Sequence, residues 1–154
     1  MQSVDVSGLD ELDLRFADAL REIPQMRRQM HEEAGTAIRG LVRIEVGRSG
    51  INDRNGKIKS WQEKFIGSGG GYAAVRAVAG GERGRNPGAI TNYLESGHKA
   101  RSPSGNAKRP RKSRAQKGYA RAFLFYERSR GQAQAAAVEA ANRYADGVAE
   151  RLGD

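Results

Sequence analysis

Nine basic side chains crowd one stretch of this chain with no acid among them: Lys99, Arg101, Lys108, Arg109, Arg111, Lys112, Arg114, Lys117 and Arg121. Cations at this density suit a polyanion. Each phosphate they neutralise releases counterions and adds salt-dependent affinity. The Ser, Asn, Gln and Gly between them form no base-reading pattern, so nucleic acid would be held through its phosphates and without sequence preference. The same stretch also suits an acidic patch on a protein partner, or solvent alone. The chain has 154 residues, 27 Lys+Arg and 18 Asp+Glu, a net charge of +9. The run therefore carries the entire excess, and the remainder is neutral. Pro103, Gly105 and Pro110 exclude a regular helix there. The flanks, AITNYLESG before and AFLFY after, are apolar enough to be folded. The run reads as a long basic loop, 99–118, inserted in a domain rather than as a tail.

Other residues offer weaker chemistry. His98 follows Glu95 by three residues, and His31 stands beside Glu32 and Glu33. A zinc site needs three or four ligands at suitable spacing, which two isolated histidines do not supply. A general base would need an oriented partner. Lys117, Tyr119 and Arg121 are the residue types of small basic ribonucleases, in which Tyr exchanges protons and cations stabilise a phosphorane-like state. Any basic loop holds such residues by default. The glycines of GSGGG, 67–71, precede YAAVRAVA, which has strand character. A phosphate loop precedes a helix, so these glycines read as a hairpin turn. The residues point to no catalytic centre, no metal and no cofactor.

Composition narrows the class. One domain of modest core fits this length, with 38% hydrophobic and 6% aromatic residues. Cysteine is absent, which excludes disulfides and thiolate chemistry. No apolar run approaches the ~20 residues of a membrane span, and the acidic N-terminus is not a signal peptide. The expectation is a cytosolic, soluble product without membrane association.

These residues need a frame. Residues 1–8 read as a flexible arm, with Ser7 as N-cap, and 9–154 as a single domain. Leu9, Leu12, Phe16, Ala19, Leu20 and Ile23 fall at helical spacing, up to Pro24. A second helix is expected from about 24 to 46, with Met26, Met30, Ala34, Ala37, Ile38, Leu41, Ile44 and Glu45 at three- and four-residue steps. Arg27, Arg28, Glu32, Glu33, Arg39 and Arg43 occupy its outer face. Gly35 and Gly40 either permit a close crossing or are simply tolerated. KIKSWQEKFI, 57–66, with Trp61 and Phe65 on one face, and YAAVRAVAG, 72–80, predict a β-hairpin. A short helix ending at Gly97 is expected in 88–97, a third strand at 120–128, and a last helix at 129–153. The fold class is α+β: a small antiparallel sheet packed against N-terminal and C-terminal helices, with a long basic loop.

Two short motifs flank the loop: Tyr93-Leu94-Glu95-Ser96-Gly97, an aromatic-x-Glu-x-Gly pattern, and Ala120-Arg121-Ala122-Phe123-Leu124. With the hairpin and the final helix, they make residues 9–152 resemble the tail-component (tail-completion, neck or head–tail joining) proteins of long-tailed bacteriophages. That family has Ala-Arg-Pro-Phe-Leu at the second motif. Ala122 replaces the proline here, and the basic insertion is longer than usual. The resemblance implies a structural virion protein of the neck or tail top, assembled in the host cytoplasm and without a catalytic centre. It implies a homo-oligomeric ring, commonly hexameric, bound to other neck and tail-tube proteins, with genomic DNA passing through the lumen. Tyr93, Glu95, Gly97, Ala120, Arg121, Phe123 and Leu124 would then be structural. Sheet edges and the alanine-rich helix would be the subunit contacts. The alternative is a nonspecific nucleic-acid-binding module that uses the basic loop.

Overall fold

The structure is a computed structural model that describes residues 7–80, 86–99 and 119–153. In chain order it has α1 (Ser7–Arg48), α2 (Lys57–Trp61), β1 (Gln62–Ile66), β2 (Ala73–Ala77), α3 (Pro87–Ser96), β3 (His98–Lys99), β4 (Tyr119–Ala120) and α4 (Phe125–Gly153). The α+β class expected from the sequence is the class observed, with N- and C-terminal helices around a small antiparallel sheet.

The first departure is α1. One helix of 42 residues replaces the expected pair, and Pro24 lies inside it. A mid-helix proline removes one hydrogen bond, at a cost of about 3 kcal/mol. Two contacts with α4 bracket the site and carry the helix through it. Glu22 pairs with Arg151, and a Cβ placed on Gly147 would lie 3.2 Å from Met26 Cε. Leu20, whose carbonyl Pro24 leaves without its helical donor, is an exposed residue. The helix also takes in Ser7 and Gly8, two residues assigned to the arm. Residues 1–6 lie outside the described residues.

Helix α4 runs antiparallel to α1. Phe125 meets Val42 and Val46 near the C-terminal end of α1, and Arg151 meets Glu22 toward its start. Among the described residues the main buried cluster is small: Val42, Val46 and Phe125, with Ile38, Ile51, Ile58, Val75, Leu94, Phe123 and Tyr126 packed around them, while Ala19, Ala34 and Ala140 are buried outside it.

The hairpin is shorter than expected. Lys57–Trp61 is a helical turn, capped by Asp53, whose carboxylate accepts the N–H groups of Ile58 and Lys59 at 3.0 and 3.1 Å. Trp61 therefore does not share a strand face with Phe65. β1 and β2 pair antiparallel, Gln62 opposite Ala77 and Ile66 opposite Ala73. GSGGG makes the turn, with Gly70 at φ +65°. Arg39 and Arg43, expected on the outer face of the helix, instead bind the hairpin. Each donates to one oxygen of Glu63 at 2.8 Å, and Arg43 also donates to the Gln62 carbonyl at 3.0 Å. The Arg39 hydrogen bond, with both guanidinium charges, outweighs desolvation and holds the Glu63 carboxyl below the usual glutamate range. Gly35 lies under the hairpin, where a Cβ would be 3.4 Å from those of Ala73 and Lys64, whereas Gly40 faces open space. Only Gly35 serves the close crossing.

The expected strand at 120–128 does not form against the hairpin. Tyr119–Ala120 pair with His98–Lys99 in a separate two-stranded ribbon. The chain then turns at Leu124 and enters α4 at Phe125, four residues ahead of the expected start.

Candidate functional site

The two short motifs meet at the base of the basic run. Asn86 caps α3, its side chain accepting the Ala89 N–H at 3.2 Å, and Pro87 occupies the first turn. α3 ends at Gly97, and β3 leaves directly from it. His98 pairs with Ala120, and Lys99 with Tyr119. Behind this ribbon, the Phe123 N–H donates to the Leu94 carbonyl at 2.8 Å and the Leu124 N–H to the Glu95 carbonyl at 3.2 Å. The stretch 100–118 thus leaves and rejoins the domain through one short clasp.

Glu95 and Gly97 make this clasp. A helix N-terminus has unpaired N–H groups, which a Ser, Thr, Asp or Asn just ahead of it normally satisfies. Here that position is Leu124, whose side chain has no acceptor and which lies at φ +53°. Glu95 supplies the acceptor from α3. Its Oε2 accepts the Tyr126 N–H and its Oε1 the Glu127 N–H, both at 3.1 Å. Its negative charge also suits the positive end of the helix dipole. Glu95→Ala should therefore cost about 1–2 kcal/mol, read from the urea midpoint, with Glu95→Gln intermediate because it keeps one acceptor oxygen. Gly97 adopts φ +70°, ψ 173°. A Cβ there would lie 2.5 Å from the Ala120 carbonyl oxygen and 3.0 Å from the Ala122 nitrogen.

The remaining motif residues pack around the clasp. The exposed Tyr93 ring lies 5.1 Å from that of His98. Arg121 is exposed, its guanidinium 5.7 Å from the centre of the partly buried Phe123 ring. Lys99 belongs to β3. Arg101, Lys108, Arg109, Arg111, Lys112, Arg114 and Lys117 lie outside the described residues, so the grouping of Lys117, Tyr119 and Arg121 does too. His31 lies on α1 and His98 on β3, and among the described residues no group of three His, Asp or Glu side chains could hold a metal ion. No helix there is long and apolar enough to cross a membrane.

Beneath the clasp runs a polar chain that sequence reasoning missed. Gln62 is fully buried. Its Nε2 donates to the Ile58 carbonyl at 3.0 Å and reaches Thr91 Oγ1 at 3.5 Å, while its Oε1 accepts the Tyr126 hydroxyl. Strand alternation alone does not distinguish such a glutamine from a solvent-facing one. Burial, then the nearby Glu95 charge, push the Tyr126 hydroxyl up to about 12 from its ordinary value of 10.0, against a lowering hydrogen bond from the Ala77 backbone. The folded state keeps this proton after the unfolded chain has released it. Its contribution to stability is complete below pH 10.0 and is lost as pH rises toward about 12. Urea titrations at about pH 9 and about pH 11 should show this loss, and Tyr126→Phe should reduce it.

Next to this chain, a cleft of about 410 Å³ opens between β2 and α3, lined by Ala77, Asn86, Thr91, Asn92 and Tyr126. Among the described residues its polar side chains are amides, hydroxyls and the Arg76 guanidinium. Comparison of the chain with known protein families, characterised proteins and solved structures finds no match.

Proposed function

We propose that this chain is a structural component of a phage neck or tail top, a subunit of a homo-oligomeric ring that offers its basic run to the DNA passing through. The observation that carries the reading is the clasp. The two motifs on which the resemblance rests, 93–97 and 120–124, come together in space, and each has a mechanical task there. Glu95 caps α4, and Gly97 allows β4 to approach. Together they tie down both ends of a stretch, 100–118, that bears seven of the nine cations of the basic run and no acid. That is the arrangement expected of a scaffold that presents cations, not of a catalyst that positions them around a bond.

Deleting the gene from its genome should leave filled heads and tails unjoined in electron micrographs. Joined, infectious particles from the deletion would overturn the proposal. DNA contact is read separately. Neutralising Lys108, Arg109, Arg111 and Lys112 should lower the slope of log affinity against log salt by about 0.9 for each phosphate that is no longer neutralised. An isolated chain that ignores DNA at low salt would remove the DNA-facing part of the proposal, as well as the alternative of a free-standing nucleic-acid-binding module.

A further inference from the structure

One residue of the first motif has no mechanical task in the clasp. Glu95 caps α4, Gly97 lets β4 approach and Leu94 packs against the core, whereas Tyr93 is 54% exposed. The exposed ring of His98 meets it, with centroids 5.1 Å apart and planes tilted by 50°. Each ring is carried by ordered backbone: Tyr93 by α3, and His98 by the ribbon, where it pairs with Ala120. At this distance the rings touch, so nothing flat fits between them. What the pair offers a ligand is the open surface of Tyr93, with His98 at its edge. The charge around it is one-sided. From Asn86 to Tyr126 the sequence holds nine cations and a single acid, Glu95. Both carboxylate oxygens of Glu95 are engaged by N–H groups of α4. Arg121, next to the ribbon partner of His98, is exposed. Such surroundings draw a polyanion, and a polyanion that also has flat apolar faces gains from the rings as well.

We propose that Tyr93 and His98 form a stacking site for an unpaired base of single-stranded nucleic acid. The neighbouring cations neutralise the phosphates of the same strand. Every base has a face that stacks on an aromatic ring, so the site adds affinity without reading sequence. In a duplex the bases already stack on one another, and taking one out costs free energy. The proposal rests on the DNA-facing part of the proposed function and deepens it. The cations hold any nucleic acid by its phosphates, and the ring pair distinguishes a single strand from a duplex.

The test is fluorescence anisotropy on the full chain at low salt, with three labelled probes of equal length: a deoxythymidine strand, a strand of the same phosphates without bases, and a duplex. The unaltered chain should hold the deoxythymidine strand about 10-fold more tightly than the abasic one, equivalent to about 1.4 kcal/mol. Tyr93→Ala changes an exposed side chain and should fold normally by circular dichroism. It should erase that difference while leaving the affinity for the abasic strand and the duplex unchanged. The slope of log affinity against log salt should stay the same, because no phosphate contact is lost. Tyr93→Trp should keep the difference. An unaltered chain that holds the two single strands equally would overturn the proposal and leave phosphate binding intact. A Tyr93→Ala chain that loses affinity for all three probes alike would also overturn it, and would make the ring a structural part of the clasp. A chain that ignores every probe would overturn it together with the DNA-facing part of the proposed function. Joined particles from the gene deletion would overturn the neck assignment without touching this site.

Discussion

Gly97→Val should destabilise the domain by at least about 3 kcal/mol and open the clasp. Two costs combine. The conformation at φ +70°, ψ 173° belongs to a region essentially reserved for glycine, with a penalty of about 1–3 kcal/mol for other residues. The new Cβ would also lie 2.5 Å from the Ala120 carbonyl oxygen, which is backbone and cannot rotate aside. β4 would have to move, and with it the Phe123 and Leu124 hydrogen bonds to the end of α3. Hydrogen exchange at the Phe123 and Leu124 amides should accelerate by more than the global loss of stability accounts for. Unchanged stability and exchange in the variant would disprove the clasp. Against a typical total of about 5–15 kcal/mol, a loss of this size leaves some chains unfolded at ambient temperature.

Phe125→Ala should cost more, about 3–5 kcal/mol, the usual range for emptying a buried aromatic site. Phe125 is fully buried against Val42 and Val46, its ring 4.8 Å from that of Tyr126. Few side chains share this core, so few can collapse into the space. The same residue begins α4, immediately after the turn at Leu124. Its loss would loosen the helix start, the polar chain through Tyr126 and the packing of α1 together. Chemical denaturation should show one broadened transition at a much lower midpoint. A midpoint near that of the unaltered chain would mean that α1 and α4 hold together without this core.

The two long helices were legible as helical in the sequence because their periodicity is long and regular, whereas the short helix at Lys57–Trp61 was read as strand. α4 is alanine-rich from Ala133 onward, and α1 repeats apolar residues over its length. Pro24 misled because local propensity weighs it heavily, whereas the surrounding contacts with α4 are tertiary and invisible in sequence. The stretch 120–128 misled in a similar way. Its aromatics have strand propensity, but Phe125 is drawn into a helix by a cap that lies thirty residues upstream, at Glu95. Arg39 and Arg43 looked like solvent-facing charges until the hairpin brought Glu63 to them. The clasp was half legible. Both motifs could be read as fixing the ends of the loop, and Gly97 as a helix stop. The capping role of Glu95 and the contact that excludes a side chain at position 97 depend on how α3 and α4 meet.

The clasp also separates two quantities that most domains couple. Holding two chain ends together costs entropy that grows only with the logarithm of the length between them, about 0.6 kcal/mol for each doubling. The ribbon of β3 and β4, the Glu95 cap and the Gly97 contact all lie outside 100–118. Residues can therefore be added to or removed from that stretch with little effect on the domain that carries it. Its reach and charge can drift during evolution, or be reset by an engineer, while the scaffold stays the same.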